Sequence, residues 1–138
     1  MKVLVFYVSK FQYTPQQKSL DIAPDNHNGT QTIEDAVLAF IHVEPSDQEE
    51  SLKSRDKKLA NHLKWCCRKN DTKKVVIHSF AHLSEAKADW EFTKELLDNC
   101  EQRLLNVGYE THQTPFGYFL DLHMDAPGNS LARLWKTL

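Results

Sequence analysis

Apolar residues follow one another without alternation from Val3 to Val8, the pattern of a strand covered on both faces. A second such run, Ala36 to Val43, is stopped by Pro45, and the pair predicts two buried strands, the first of them central. Between them, Gln12 to Gln31 carries Pro15, Pro24, Gly29 and many Asn, Asp and Gln residues. That composition predicts a long loop, with short strand character near Phe11 to Thr14. Ser46 with Glu49 has capping-box spacing, and Leu52, Leu59, Ala60, Leu63, Cys66 and Cys67 then recur at helical intervals, which predicts a first amphipathic helix. Val75 to Ile77 predicts a short third strand. Ser84 or Asp89 can cap a second helix with Trp90, Leu97, Cys100 and Leu104 on one face, ended by Gly108. Tyr118 to Asp125 alternates, with Tyr118, Leu120, Leu122 and Met124 facing one way and Asp121, His123 and Asp125 the other, as in an antiparallel strand with one wetter face. Pro127-Gly128 then predicts a turn into a short C-terminal helix, Leu131 to Trp135. Strands alternating with two long helices, followed by a hairpin, predict an α/β or α+β fold, of which α/β is adopted: a mixed β-sheet with two long helices packed on it.

Length narrows this to one unit, residues 1–138, because 138 residues with 41% hydrophobic content suit a single core. The apolar runs are far shorter than the roughly 18 residues a membrane helix needs, so no membrane span is expected and the expected location is cytoplasmic. Seventeen basic against nineteen acidic residues leave a net charge of −2, so any nucleic-acid contact must be local, for instance at the basic clusters within residues 53–74. Cys66, Cys67 and Cys100 lack metal-site spacing and are expected to be buried thiols.

Candidate chemistry is sparse. Four glycines cannot supply nucleotide-binding loops, and the chain has no G-x-S-x-G or H-E-x-x-H motif, which removes mononucleotide and common hydrolase readings. His78 and His82 lie at helix-like spacing, but the residues before them read as strand and no ligand partner sits nearby, so no metal and no cofactor is expected. What stands is His78 to Ser84 at the end of one strand and Thr114 to Phe119 at the start of another. Ends of strands are where α/β sheets place ligands, and Ala81, Pro115 and Gly117 let main chain approach a ligand closely. Without a nucleophile or partner acid, the residues by themselves leave a structural role for His82, Phe80 and Phe116 open.

The same segments resemble the archaeal-type editing domain of threonyl-tRNA synthetase. The resemblance is carried by Lys2-Val3-Leu4-Val5, Glu34 to Glu44, Phe80-Ala81-His82-Leu83-Ser84, Thr114-Pro115-Phe116-Gly117-Tyr118 and Ser130-Leu131-Ala132. It implies a fold similar to D-aminoacyl-tRNA deacylase, usually homodimeric, and hydrolysis of serine wrongly esterified to threonine tRNA. It further implies that Val43 lines the amino-acid pocket, that Phe80, Ala81 and His82 form one wall, and that Phe116, Gly117 and Tyr118 form the other. The catalytic positions carried over are His82, Phe119 and Leu120, with His82 positioning rather than abstracting a proton. The attacking water would be held by main-chain groups and the terminal ribose 2′-hydroxyl. The implied partners are the tRNA 3′ end and a threonyl-tRNA synthetase catalytic chain.

Three positions, in two segments, depart from the family. Phe119-Leu120 stands where the family commonly has Tyr-Lys, and Arg133 replaces a common Glu, which suggests loss of a linked charge pair. Three further readings stay open: a catalytically weakened module for tRNA-end binding or dimerisation, a deacylase for another mischarged or D-aminoacyl-tRNA, and a small ligand-binding domain with no tRNA connection.

Overall fold

The computed structural model describes residues 1–25 and 27–138. Six strands form one sheet, and β1 (Lys2–Lys18) is its spine. On one side β1 pairs antiparallel with β2 (Gln31–His42), from Lys2 opposite His42 to Tyr13 opposite Gln31. Beyond β2 lie β3 (Lys74–Ser79) and β4 (Glu110–Gln113), both parallel. Each parallel step needs a crossover, and α1 (Leu52–Lys69) and α2 (Trp90–Asn106) supply them. The other side of β1 is shared. Its second half pairs with β5 (Tyr118–Asp125), and its first half pairs with β6 (Arg133–Thr137).

Both helices pack on one face of the sheet. Val3, Val5, Ala39, Ile41, Val75 and Ile77 meet Leu59, Leu63, Leu96, Leu97 and Leu104 there, all essentially inaccessible to water. The opposite face carries no helix, yet Val8, Phe11, Leu38 and Val76 are equally buried. The sheet curls over this second cluster, and Phe80, Leu83 and Met124 close it. Hence the apolar runs Val3–Val8 and Ala36–Val43 lack alternation: each face of these strands meets a different core. Cys66, Cys67 and Cys100 are buried free thiols, and burial pushes Cys66 up to about 11, Cys67 to about 12 and Cys100 higher still.

Several expectations need correction. Strand runs through the expected Phe11 to Thr14 and on as far as Lys18, although it contains Pro15, because pairing to β2 and β5 supplies the hydrogen bonds and the register shifts between Pro15 and Lys18. The remaining loop is Ser19 to Thr30, of which Asn26 lies outside the described residues. Ser46 and Glu49 belong to a short 3-10 turn, Pro45–Glu49. The cap of α1 is Ser51, whose Oγ accepts from the Ser54 N–H at 3.2 Å. Leu131 to Trp135 is not a helix. Ser130–Ala132 makes one 3-10 turn and Arg133–Thr137 is strand β6; the expected hairpin is absent as well, because β4 pairs with β3 and β5 with β1. Trp90 does not join the core face of α2: it is 39% exposed. Gly108 does end α2, with φ +88°.

Candidate functional site

A cleft of about 550 Å³ opens beyond the C-terminal ends of β2 and β3. That is the crevice position favoured by parallel strands, and the volume suits a small ligand. All nine residues expected at the site, Val43, Phe80, Ala81, His82, Phe116, Gly117, Tyr118, Phe119 and Leu120, line it. Residues far apart in sequence converge because β2 and β3 end side by side and β5 runs back along the other half of β1.

One wall is the segment Phe80 to Ala88, which leaves β3 and leads to α2. Its ends are pinned to β2 by main-chain bonds, Phe80 N–H to the Ile41 carbonyl at 2.8 Å and Ala88 N–H to the Val43 carbonyl at 2.9 Å. Buried His42 grips the middle: its Nδ1 accepts from Leu83 N–H at 3.0 Å, and its Nε2 lies 2.7 Å from the Ala86 carbonyl. Ser84 Oγ donates to Glu44 at 3.0 Å. Burial raises the Glu44 carboxyl, but hydrogen bonds from the Met1 amine and Ser84 outweigh it and hold the group below its usual range. Phe80 packs edge-on against Phe40 and His82, at 5.1 Å in each case. His82 itself is exposed to the cleft.

The opposite wall runs from Phe116 into β5. Gly117 adopts φ +85°, and its carbonyl accepts from the Ser19 and Leu20 N–H groups at 2.8 and 3.2 Å. A Cβ there would come within 3.0 Å of Ala23 Cβ and 3.3 Å of Leu20 Cβ. The Tyr118 hydroxyl donates to the Pro24 carbonyl. Phe119 is 53% exposed and Leu120 half-buried, so this side of the cleft offers apolar surface where the sequence comparison with the family led to a hydroxyl and an ammonium.

His78 joins the two walls at the floor. Its Nδ1 lies 2.9 Å from Thr114 Oγ1, and burial pushes its pKa down to about 4, so the ring is neutral at pH 7. Lys94 is paired with Asp98 at 2.7 Å and lies 5.9 Å from the Phe116 ring centroid. Among the described residues lining the cleft, no serine or cysteine is hydrogen-bonded to an imidazole. The surface can therefore shape and orient a ligand through backbone and ring edges, while the activated nucleophile of a triad is not assembled there.

Sequence reasoning set His78 at the head of a candidate segment without giving it a role, and it missed His42 and Trp90 as parts of this site. His42 sat inside an apolar run that read as plain strand; a histidine at the carboxyl end of each adjacent strand was the available signal. Arg133 lies outside the cleft, opposite Phe6 of β1, with its guanidinium on the Pro127 carbonyl, whereas Leu120 lies opposite Pro15. The two departures thus sit against different halves of β1, and within one chain they do not form the linked pair the sequence suggested.

A family profile described as the archaea-specific editing domain of threonyl-tRNA synthetase matches residues 1–138. The chain belongs to that family. This editing domain is 28% identical over 141 residues to the threonine–tRNA ligase of Thermofilum pendens and 27% identical over 139 residues to that of Nitrosopumilus maritimus. Each match covers 100% of this chain but only 22% and 21% of the relative, so the chain spans about a fifth of their length. A solved structure titled c-Myc DNA Unwinding Element Binding Protein superposes with a TM-score of 0.69, covering 100% of this chain and 99% of that one at 11% identity. The editing domain has a D-aminoacyl-tRNA deacylase-like fold, a curled mixed sheet with two helices. No helix among the described residues is long and apolar enough to cross a membrane.

Proposed function

We propose that this editing domain hydrolyses the ester of serine mischarged onto threonine tRNA. The observation that carries the reading is the convergence of Val43, the Phe80-Ala81-His82 segment and the Phe116-Gly117-Tyr118 segment around one cleft of about 550 Å³. The physical need is clear. Serine lacks one methyl of threonine, and a synthetic pocket rejects a smaller side chain by only about 10–200-fold, so a second site that excludes the larger side chain is required. A cleft walled by tightly tethered backbone and the small Ala81 suits that sieve. The acceptor ribose and main-chain groups would hold the water, His82 would orient the aminoacyl adenosine, and no side-chain base is required. The same reading assigns the tRNA 3′ end, a second copy of the chain and a synthetase catalytic chain as partners.

One observation favours a second reading. Phe119 and Leu120 give the cleft an apolar edge with no ammonium from β5 to meet developing negative charge. The protein would then bind the tRNA end with little turnover, or act on a different aminoacyl ester. Multiple-turnover deacylation of Ser-tRNA(Thr) and Thr-tRNA(Thr), with Ala81→Phe beside the parent, separates the readings. Serine-selective turnover that falls at least a hundredfold in Ala81→Phe supports editing. Turnover at the no-protein rate with tRNA-end binding retained supports the binding module.

A further inference from the structure

We infer that His42 is a positioning residue that sets the serine–threonine selectivity of the cleft through the loop it holds. It is only 1% exposed, and both of its ring nitrogens are committed to the backbone of one segment. Nδ1 accepts from an N–H and must be bare, so the ring proton sits on Nε2 and is donated to the Ala86 carbonyl. The imidazole is a bracket of fixed tautomer, one acceptor and one donor, across Leu83 to Ala86.

Four backbone tethers hold the wall. The outer two, Phe80 to Ile41 and Ala88 to Val43, join main chain to main chain and survive any side chain at position 42. The inner two depend on the imidazole. Ala81 and His82 lie between the Phe80 tether and the Leu83 bond, so without the bracket the next holds beyond them are the Ser84 side chain on Glu44 and the distant Ala88 tether. Rejecting one extra methyl requires a wall held to about half an ångström, and an imidazole locked at both nitrogens supplies such a hold. A leucine of similar bulk would fill the space and leave the Leu83 N–H and Ala86 carbonyl without their partner.

The activity side of this inference rests on the deacylase reading; the bracket does not. His42→Leu and His42→Gln are compared with the parent in two assays. In deacylation, His42→Leu is expected to lower the Ser-tRNA(Thr) to Thr-tRNA(Thr) rate ratio at least tenfold. His42→Gln, whose carboxamide keeps one acceptor and one donor, is expected to recover most of it. In amide hydrogen exchange, His42→Leu is expected to lose protection at Leu83 while Val75 to Ile77 stay protected. An unchanged rate ratio in His42→Leu, or an equal loss for both esters, overturns the role in selectivity. Retained Leu83 protection overturns the bracket. If the parent hydrolyses neither ester, the functional reading and the selectivity role fall together, and the exchange assay still decides the bracket. Should His42→Leu not fold, nitrogen NMR of the parent replaces the exchange assay: coupling from the Leu83 N–H to a bare Nδ1 supports the bracket, and a proton on Nδ1 overturns it.

Discussion

The two walls of the cleft are held by different means. The Phe80–Ala88 wall hangs from the end of a central strand, and a buried imidazole, a carboxylate and two main-chain bonds fix it. The Phe116–Leu120 wall rides on β5, a strand whose one partner is the second half of β1, and a left-handed glycine with the 19–25 loop supports it. The first wall is built for shape. The second presents Phe119 and Leu120 at the cleft edge, and a peripheral strand accepts changes at such positions at little cost to the core. Under the proposed function, shape and chemistry fall to different walls and are separable.

The largest test addresses the joint between the walls. His78 on β3 meets Thr114, just before the second wall, and holds its proton only below about 4, whereas an unfolded chain takes one up near ~6.5. Between those values the unfolded state carries the extra proton, so stability falls as pH falls, by about 3 kcal/mol in all, with no further loss below about 4. Urea unfolding of the parent and of His78→Gln, which keeps a hydrogen-bonding partner for Thr114 but cannot titrate, isolates this contribution. The parent is expected to lose about 3 kcal/mol more than the variant between pH 7 and pH 4. Equal losses would mean that the joint is not a buried neutral imidazole.

How far the sequence revealed these walls follows from the same contrast. The first wall was legible because Val3–Val8, Ala36–Val43 and Val75–Ile77 are buried on both faces, and continuous apolar runs announce such strands. The second was legible only in its Pro-Phe-Gly-Tyr motif and the alternation of Tyr118 to Asp125. Its support, the polar part of β1 from Gln12 to Lys18, showed strand character only as far as Thr14, because from there its partner is β5, a hundred or more positions along the chain. Pairing across that separation leaves no local trace. The strand β6 was hidden similarly: Leu131 and Trp135 stand one helical turn apart, yet Leu134 turns to the helix-side core and Trp135 away from it, opposite Leu4. Trp90 followed the helical spacing of Leu97 and Leu104, but it lies at the first position of α2, where that stripe runs out over the cleft mouth.

A smaller effect tests whether the second wall depends on its glycine. Gly117 and Gly108 share nearly the same left-handed backbone, φ +85° and +88°, but a Cβ at Gly117 meets Ala23 and Leu20 while one at Gly108 meets nothing within 4 Å. Alanine at either position carries the conformational cost of roughly 1 kcal/mol. Gly117→Ala adds crowding for a total of roughly 2 kcal/mol and shifts the loop whose N–H groups bond the Gly117 carbonyl. Urea midpoints give the energies. Perturbed amide resonances at Ser19 and Leu20 in Gly117→Ala alone would locate the extra loss at this wall, and equal costs for the two variants would show the 19–25 loop yielding freely.

The finest test asks whether chemistry can be restored to a wall without altering the shape of the other. Leu120 is half-buried at the cleft edge, on a strand at the margin of the sheet, so a lysine there can lay its alkyl chain along the same apolar surface and send its ammonium into the cleft. An ammonium placed where negative charge develops on the ester oxygen lowers the barrier, and a tenfold gain corresponds to about 1.4 kcal/mol of transition-state stabilisation. Leu120→Lys is therefore expected to raise the rate on Ser-tRNA(Thr) about tenfold and leave the serine-to-threonine rate ratio unchanged, as measured by single-turnover deacylation. A rate unchanged by the lysine means that main chain and ribose already do what an ammonium could add. A gain that comes with a changed ratio means that β5 shapes the pocket as well, and the division of labour between the walls fails.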